Sequence, residues 1–442
     1  MGLDAMLALT TPADAVSAAD TVWMFLATAL VLLMTPALGF FYGGLVRAKN
    51  ALNTMMMSVA ALGVVGVVWA LLAYSLAFAD GTAWLGGAQH ALLRGVGVEA
   101  RGSIPHLVFM AYQGTFAIIT AALISGAIVE RMRFGPYLAF IALWTVAVYA
   151  PVAHWVWGGG WLGRLGVLDY AGGTVVHVNA GAAALVAALA LRERRDYGRL
   201  ALLPHNVPYV LLGAALLWFG WFGFNGGSAL AANRGAAIAF VNTFLAPMAT
   251  LVAWMTIDLV RTGRATAVGA ATGIVVGLVA ITPAAGYVSP ASAMAIGALA
   301  AVPSYFAILW RSRTAVDDSL DVVAAHGVGG MTGALLTGVF AQAAWGGSDG
   351  LIAGNARQLG LQALGIGAAL VYSGAMTFGL VRLLGAVVPL RATGRDEGVG
   401  LDVAQHGEEA YSRGEGAILV RAAAAPQHDA RPVVEQLQEA PA

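Results

Sequence analysis

Leu168-Asp169-Tyr170-Ala171-Gly172-Gly173-Thr174-Val175-Val176-His177-Val178-Asn179-Ala180 decides the fold, because its pattern returns in Val316-Asp317-Asp318-Ser319-Leu320-Asp321-Val322-Val323-Ala324-Ala325-His326-Gly327-Val328-Gly329-Gly330. Asp169 precedes His177 by eight residues, and Asp318 precedes His326 by the same eight. Both pairs open an apolar run, at about 173–191 and 320–342. A second echo links Phe41-Tyr42-Gly43-Gly44 to Phe224-Asn225-Gly226-Gly227.

The two runs belong to a series of eleven, at about 21–45, 51–78, 105–130, 136–157, 173–191, 206–226, 236–260, 266–285, 291–310, 320–342 and 359–386. A crossing needs about 20 apolar residues, so the expected fold is an all-α polytopic membrane protein with eleven transmembrane helices. The paired pattern falls on helices 5 and 10, which divides the chain into five, five and one. Five is odd, so the halves traverse the bilayer in opposite senses. Such an inverted repeat places a site at the midplane between halves. If each Asp sits about 15 Å from the midplane, eight helical residues carry its His about 12 Å inward, close to the centre.

Composition agrees. Of 442 residues, 59% are hydrophobic and 10% charged, against about 25% charged in a soluble domain. Lys+Arg and Asp+Glu both number 23, so there is no single-sign field of the kind a nucleic-acid partner would need. With no Cys, disulfides, thiolate nucleophiles and zinc–thiolate sites are excluded, and no metal or other cofactor is expected. The first basic residue is Arg47, so a positive n-region is missing and the first run reads as a retained helix.

Basic residues sort between alternate connections. Twelve, among them Arg47, Arg131, Arg194 and Arg311, lie in one set, and five, Arg94, Arg101, Arg164, Arg234 and Arg357, in the other. By the positive-inside rule the N-terminus is outside and the C-terminal segment cytoplasmic. The expected domains are an extracytoplasmic segment 1–20; a membrane domain 21–390, with helices 1–5 over 21–191, 6–10 over 206–342 and 11 over 359–386; and a cytoplasmic region 391–442, disordered after 411.

No Asp or Glu lies at the centre of an apolar run, which argues against a carboxylate relay or a paired-acid enzyme. His177 and His326 are the titratable groups expected at depth. A single buried His is commonly a core residue, but two at matching repeat positions point to function. His154 and His106 lack such a match and are expected at the interface. Phe116, Trp157 and Phe224, with Ser228, fall near the outer ends of helices 3, 4 and 6; brought together, they would hold a small cation by cation–π attraction.

The chain resembles the Amt/Mep/Rhesus family of ammonium transporters, its bacterial Amt branch in particular, through GFFYGGLVRAKN from Gly39, YQGTFAIIT from Tyr112, HWVWGGG from His154, WFGFNGGSA from Trp221, GLDVAQHGEEAY from Gly400 and the two Asp–His segments. The resemblance implies a homotrimer in the cytoplasmic (inner) membrane, each subunit with its own hydrophobic pore. By position it implies an outer ammonium site at Phe116, Trp157 and Ser228, a gate of Phe116 and Phe224, pore histidines His177 and His326, and a pore-lining Trp221. Asp169 then shapes the site or assists proton removal, and Asp318 is its structural repeat mate. Tyr112 stands where many members have Phe. Gly400 to Tyr411 resembles the region that docks PII-type regulatory proteins. The expected function is an ammonium transporter or channel that deprotonates ammonium and conducts ammonia, with the histidines either offering a hydrogen-bonding edge or relaying the proton. The alternative is an ammonium sensor coupled to a cytoplasmic nitrogen-signalling partner. An intramembrane enzyme is not expected.

Overall fold

The computed structural model describes residues 16–411. Ten of its helices are long and apolar enough to cross a membrane: α1 (Ala18–Leu45), α2 (Ala48–Phe78), α3 (His106–Ser125), α4 (Phe134–Leu165), α5 (Gly173–Leu191), α6 (Val207–Gly227), α7 (Arg234–Thr262), α9 (Pro290–Arg311), α10 (Val323–Phe340) and α11 (Ala356–Val387). The remaining apolar helix, α8 (Ala267–Ile281), is shorter. At 1.5 Å per residue it covers about 22 Å of a roughly 30 Å hydrocarbon core, and turns at 282–287 continue it.

Side-chain caps set several starts. Ser17 caps α1, Asn206 caps α6, Asn233 caps α7, Thr266 caps α8 and Ser289 caps α9, each accepting a first-turn backbone N–H. Each cap satisfies one of the donors that a helix start leaves free. The expected repeat mates pack together. α1 lies along α6, and α5 meets α10 so closely that a Cβ on Gly181 would stand 2.4 Å from the Gly327 Cα. Small residues permit this approach where bulkier ones would hold the helices apart.

Helix 3 is expected to run to residue 130 but ends at Ser125. Turns follow, and they bring Glu130 (φ 66) into a buried ionic cluster. Glu130 pairs with Arg47 at 3.1 Å and Arg194 at 2.8 Å, and Arg194 pairs with Asp317 at 2.8 Å. Four connections are thereby tied together at one end of the bundle. We call this the basic end, since the residues tied there come from the Arg-rich set.

The segment after α11 packs on the same end. Thr393 and Asp396 form a capping box on α12 (Gly394–Val399). The Asp402 carboxylate then accepts N–H bonds from Leu52 and Asn53 at 3.0 and 2.7 Å. The expected segment 1–20 is described only from residue 16, and the tail after 411 lies outside the described residues.

His154, expected at the interface, packs against the connection between α2 and α3. It is buried, with Nδ1 3.0 Å from the Ala77 carbonyl and Nε2 2.9 Å from that of Thr82. It holds the α2–α3 connection against α4. His106 instead meets the Tyr74 hydroxyl and Arg101 near the start of α3.

Burial by itself would raise the Glu130 carboxyl, but the Arg194 and Arg47 guanidiniums outweigh it and hold it at about 2, against 4.5 for the free group. A folded value below the unfolded one means that the stabilisation is whole above about pH 4.5 and fades as pH falls toward 2. Detergent-solubilised protein should lose thermal stability across that acid window, and Glu130→Gln should flatten the loss. Arg194→Ala leaves buried carboxylates uncompensated and should cost about 3–5 kcal/mol. An unchanged melting temperature would contradict this role.

Candidate functional site

At the end opposite the basic cluster a cavity of about 300 Å³ is lined by Phe78, Phe109, Gln113, Phe116, Val156, Trp157, Tyr170, Ser228 and Leu230. Phe116 and Trp157 meet edge to face, centroids 6.0 Å apart at 89°. The Trp157 indole N–H donates to the Asp169 carbonyl at 2.8 Å, which fixes the ring's rotation.

Ser228 follows the last turn of α6. Its N–H turns to Asn225 instead of Phe224, so the Phe224 carbonyl is one of those a helix terminus leaves without an intrahelical partner. Two hydroxyls take it up. Tyr112 and Ser228 both donate to it at 2.8 Å, with 3.2 Å between their oxygens. The hydroxyl that distinguishes Tyr112 from Phe thereby ties α3 to the end of α6.

Phe116, from α3, stacks on Phe224, from α6, with centroids 4.1 Å apart at 24°. The stacked pair closes the cavity. Beyond it lies a narrow space of about 10 Å³ whose lining, which includes Phe41, Leu123, His177, Trp221, Phe224 and His326, carries no Asp, Glu, Lys or Arg. The two imidazoles meet there, Nδ1 to Nδ1 at 3.2 Å, both buried. Such a contact requires one ring to donate and the other to accept, so the pair holds opposite tautomers. Trp221 stacks on His177 at 5.4 Å and donates to the Thr282 hydroxyl at 2.9 Å. His326 also lines a second cavity of about 290 Å³, which reaches Arg194, Arg311 and Asp321 at the basic end.

Local backbone geometry sets the histidines. α5 and α10 both begin with a widened π-helical turn, Gly173–Val178 and Val323–Val328, and each turn carries its histidine. Asp169 organises the first. Its two carboxylate oxygens accept the N–H groups of Gly172, Gly173, Thr174 and Val175 at 2.6–3.0 Å. The turn also needs Gly172, whose φ of 114° a side chain would disfavour. Asp318 is less engaged, accepting from the Val323 N–H at 2.7 Å while its Oδ1 has no partner among the described residues.

The model of the Ammonium Transporter Family matches residues 22–411. The chain belongs to the ammonium transporter family. It is 46% identical over 398 residues to an ammonium transporter of Bacillus subtilis, covering 89% of this chain and 98% of that one. The crystal structure of Saccharomyces cerevisiae Mep2 superposes with a TM-score of 0.84 at 38% identity, covering 91% and 93% of the two chains. A structure described as a sensor Amt protein superposes at 0.83 with 31% identity, covering 88% and 98%.

The residues singled out from sequence therefore fall along one line: Phe116, Trp157 and Ser228 on the first cavity, Phe116 and Phe224 at its floor, and His177, His326 and Trp221 beyond. Asp169 lies beneath Trp157 and touches the cavity only through that ring. Asp318 stands apart, at the start of α10. Sequence reasoning missed Phe78, Phe109, Gln113, Val156, Tyr170 and Leu230. Phe109 and Gln113 share a face of α3 with Phe116, at i, i+4 and i+7, so helical spacing from Phe116 could have found them; the others come from separate helix ends and connections, and no spacing rule joins them.

Asp169→Asn would turn an amide nitrogen toward backbone N–H donors. It should destabilise the protein by about 1–3 kcal/mol for each donor left unpaired, read as a fall in melting temperature in detergent. Asp318→Asn should cost far less. Equal effects would refute the asymmetry.

Proposed function

We propose that the chain recruits ammonium in the cavity at Phe116, Trp157 and Ser228, strips a proton near the stacked phenylalanines, and passes ammonia between His177 and His326 toward the basic end. The observation that carries this reading is the narrow space beyond the gate, lined without a charged side chain. Moving an intact cation into such a medium costs of order 20 kcal/mol in the idealised limit. Two neutral imidazoles and an aromatic face, at about 2 kcal/mol for the latter, do not offset it. Ammonium escapes the penalty by leaving a proton behind, whereas potassium has none to leave.

The first cavity suits the opposite task. Both hydroxyl protons at the end of α6 are engaged by the Phe224 carbonyl, so Ser228 meets a guest as an acceptor, and ammonium offers only donors. The carbonyl end of a helix also favours positive charge. Asp169 acts through the backbone it holds and through Trp157. The neutral histidine pair either offers ammonia a hydrogen-bonding edge or hands the proton along.

The same reading places the recruitment cavity outside and the basic end in the cytoplasm, with subunits assembled as a homotrimer in the cytoplasmic membrane. The domain division is as the repeat implies, and residues 391–411 form the face that a PII-type regulator would meet. Likeness to a sensor Amt protein favours a second reading, in which occupancy is signalled to a cytoplasmic partner. Binding without flux would decide for it.

Ammonium-evoked currents from reconstituted protein on a supported membrane test the relay. Replacing His177 and His326 together with Ala should abolish the current, and an undiminished, still selective current would overturn it. Trp157→Leu should raise the half-saturating methylammonium concentration, while unchanged kinetics would remove Trp157 from the site.

A further inference from the structure

Five of the residues singled out from sequence lie on or beneath the recruitment cavity, yet a full charge of the wrong sign for attracting a cation stands against two rings of its lining. Arg101 closes a two-residue strand, Ala100–Arg101, in the connection before α3. Its guanidinium lies 4.3 Å from the centroid of the Phe109 ring and 5.8 Å from that of Phe78. Both rings line the cavity and Arg101 does not, so the guanidinium sits behind the aromatic wall. It is held there by donating to the Phe78 carbonyl at 3.3 Å and the Tyr74 hydroxyl at 3.3 Å, and by its 3.0 Å contact with His106 Nε2. Among the described residues no carboxylate forms an ion pair with it.

We infer that Arg101 is a specificity-determining residue that sets how tightly, and where, the cavity holds a cation. Two effects act in one direction. A guanidinium is charged at all physiological pH values, and across the thickness of one ring it repels an incoming ammonium. From behind, it also draws on the π electron density of Phe78 and Phe109 that would otherwise hold a cation on their cavity side. Of the aromatic side chains around the cavity, Phe116, Trp157 and Tyr170 have no cation placed against them among the described residues. The bound ion is therefore drawn to the floor, above the stacked pair, instead of resting at the rim. Affinity is lower than the aromatic lining alone would give, and release toward the gate is correspondingly easier.

The inference rests on the recruitment reading above, and the experiment separates the two. Full-length protein is reconstituted into proteoliposomes, and the half-saturating ammonium concentration is read from evoked currents at about 10 mM and about 300 mM ionic strength, set with sodium chloride, whose strongly hydrated cation competes least for aromatic faces; the screening length falls several-fold between these conditions. Arg101→Gln should lower half-saturation about threefold at low salt, as expected for unit charges several ångströms apart in a partly screened medium. The difference should shrink at high salt. Arg101→Lys keeps the charge and should stay near the parent, and Arg164→Gln, which removes a charge from another connection of the same set, should leave half-saturation unchanged. If Arg101→Gln leaves half-saturation unmoved or raises it, or if Arg101→Lys reproduces its effect without salt dependence, the residue is structural and the inference fails. Trp157→Leu run alongside identifies the level of failure. If it raises half-saturation while Arg101→Gln does nothing, only the role of Arg101 is lost. If neither variant moves it, the recruitment reading falls as well.

Discussion

The cost of placing charge in a medium that cannot solvate it governs this molecule. In the space between the stacked phenylalanines and the histidine pair, aliphatic and aromatic groups surround two imidazoles and no charged side chain enters. Burying an ion there would cost far more than any neutral contact returns. In the proposed function, that single constraint fixes which form of a protonated substrate can cross. The polar groups present pair with one another and with Thr282, His177 Nδ1 with His326 Nδ1 and the Trp221 indole with the Thr282 hydroxyl, while His177 Nε2 has no partner among the described residues.

Where the chain does bury full charges, it groups them. Glu130, Arg194, Arg47 and Asp317 form a connected set at the basic end, outside the helices that span. Grouped charges with complementary hydrogen bonds tolerate burial that a lone charge does not. The carboxylate of Asp169 is handled differently, by four backbone N–H groups and no cation. It fixes the first turn of α5, and hence the height of His177, and the backbone carbonyl of the same residue orients Trp157. One residue therefore links the wall of the cavity to the narrow space that holds the histidines.

Much of this was legible in the sequence. The repeated eight-residue Asp–His spacing announced two equivalent helix starts and a meeting of histidines, because a carboxylate at a helix start and an imidazole two turns on have few other uses in an apolar run. The widened turns that carry both histidines were not legible, since backbone widening leaves no mark on apolar periodicity. Nor was the early end of α3. Glu130 ends the apolar run and looks like its terminus, but its partners Arg47, Asn50 and Arg194, from two other connections, hold it in the turns that follow Ser125. The cavity rim was hidden for a similar reason: Phe78 and Phe109 are ordinary apolar residues until Arg101 and Trp157 are placed on either side of them.

The account stands or falls on whether the uncharged space refuses ions while ammonia passes. The direct measurement is flux of ammonium and of potassium, at equal concentrations and in the same reconstituted vesicles, with nitrogen entry and potassium entry followed together. The account predicts rapid nitrogen entry with potassium entry no greater than in protein-free vesicles. Potassium entering at a rate comparable to nitrogen would contradict it, because a pore that conducts a cation with no proton to lose cannot be selecting by charge.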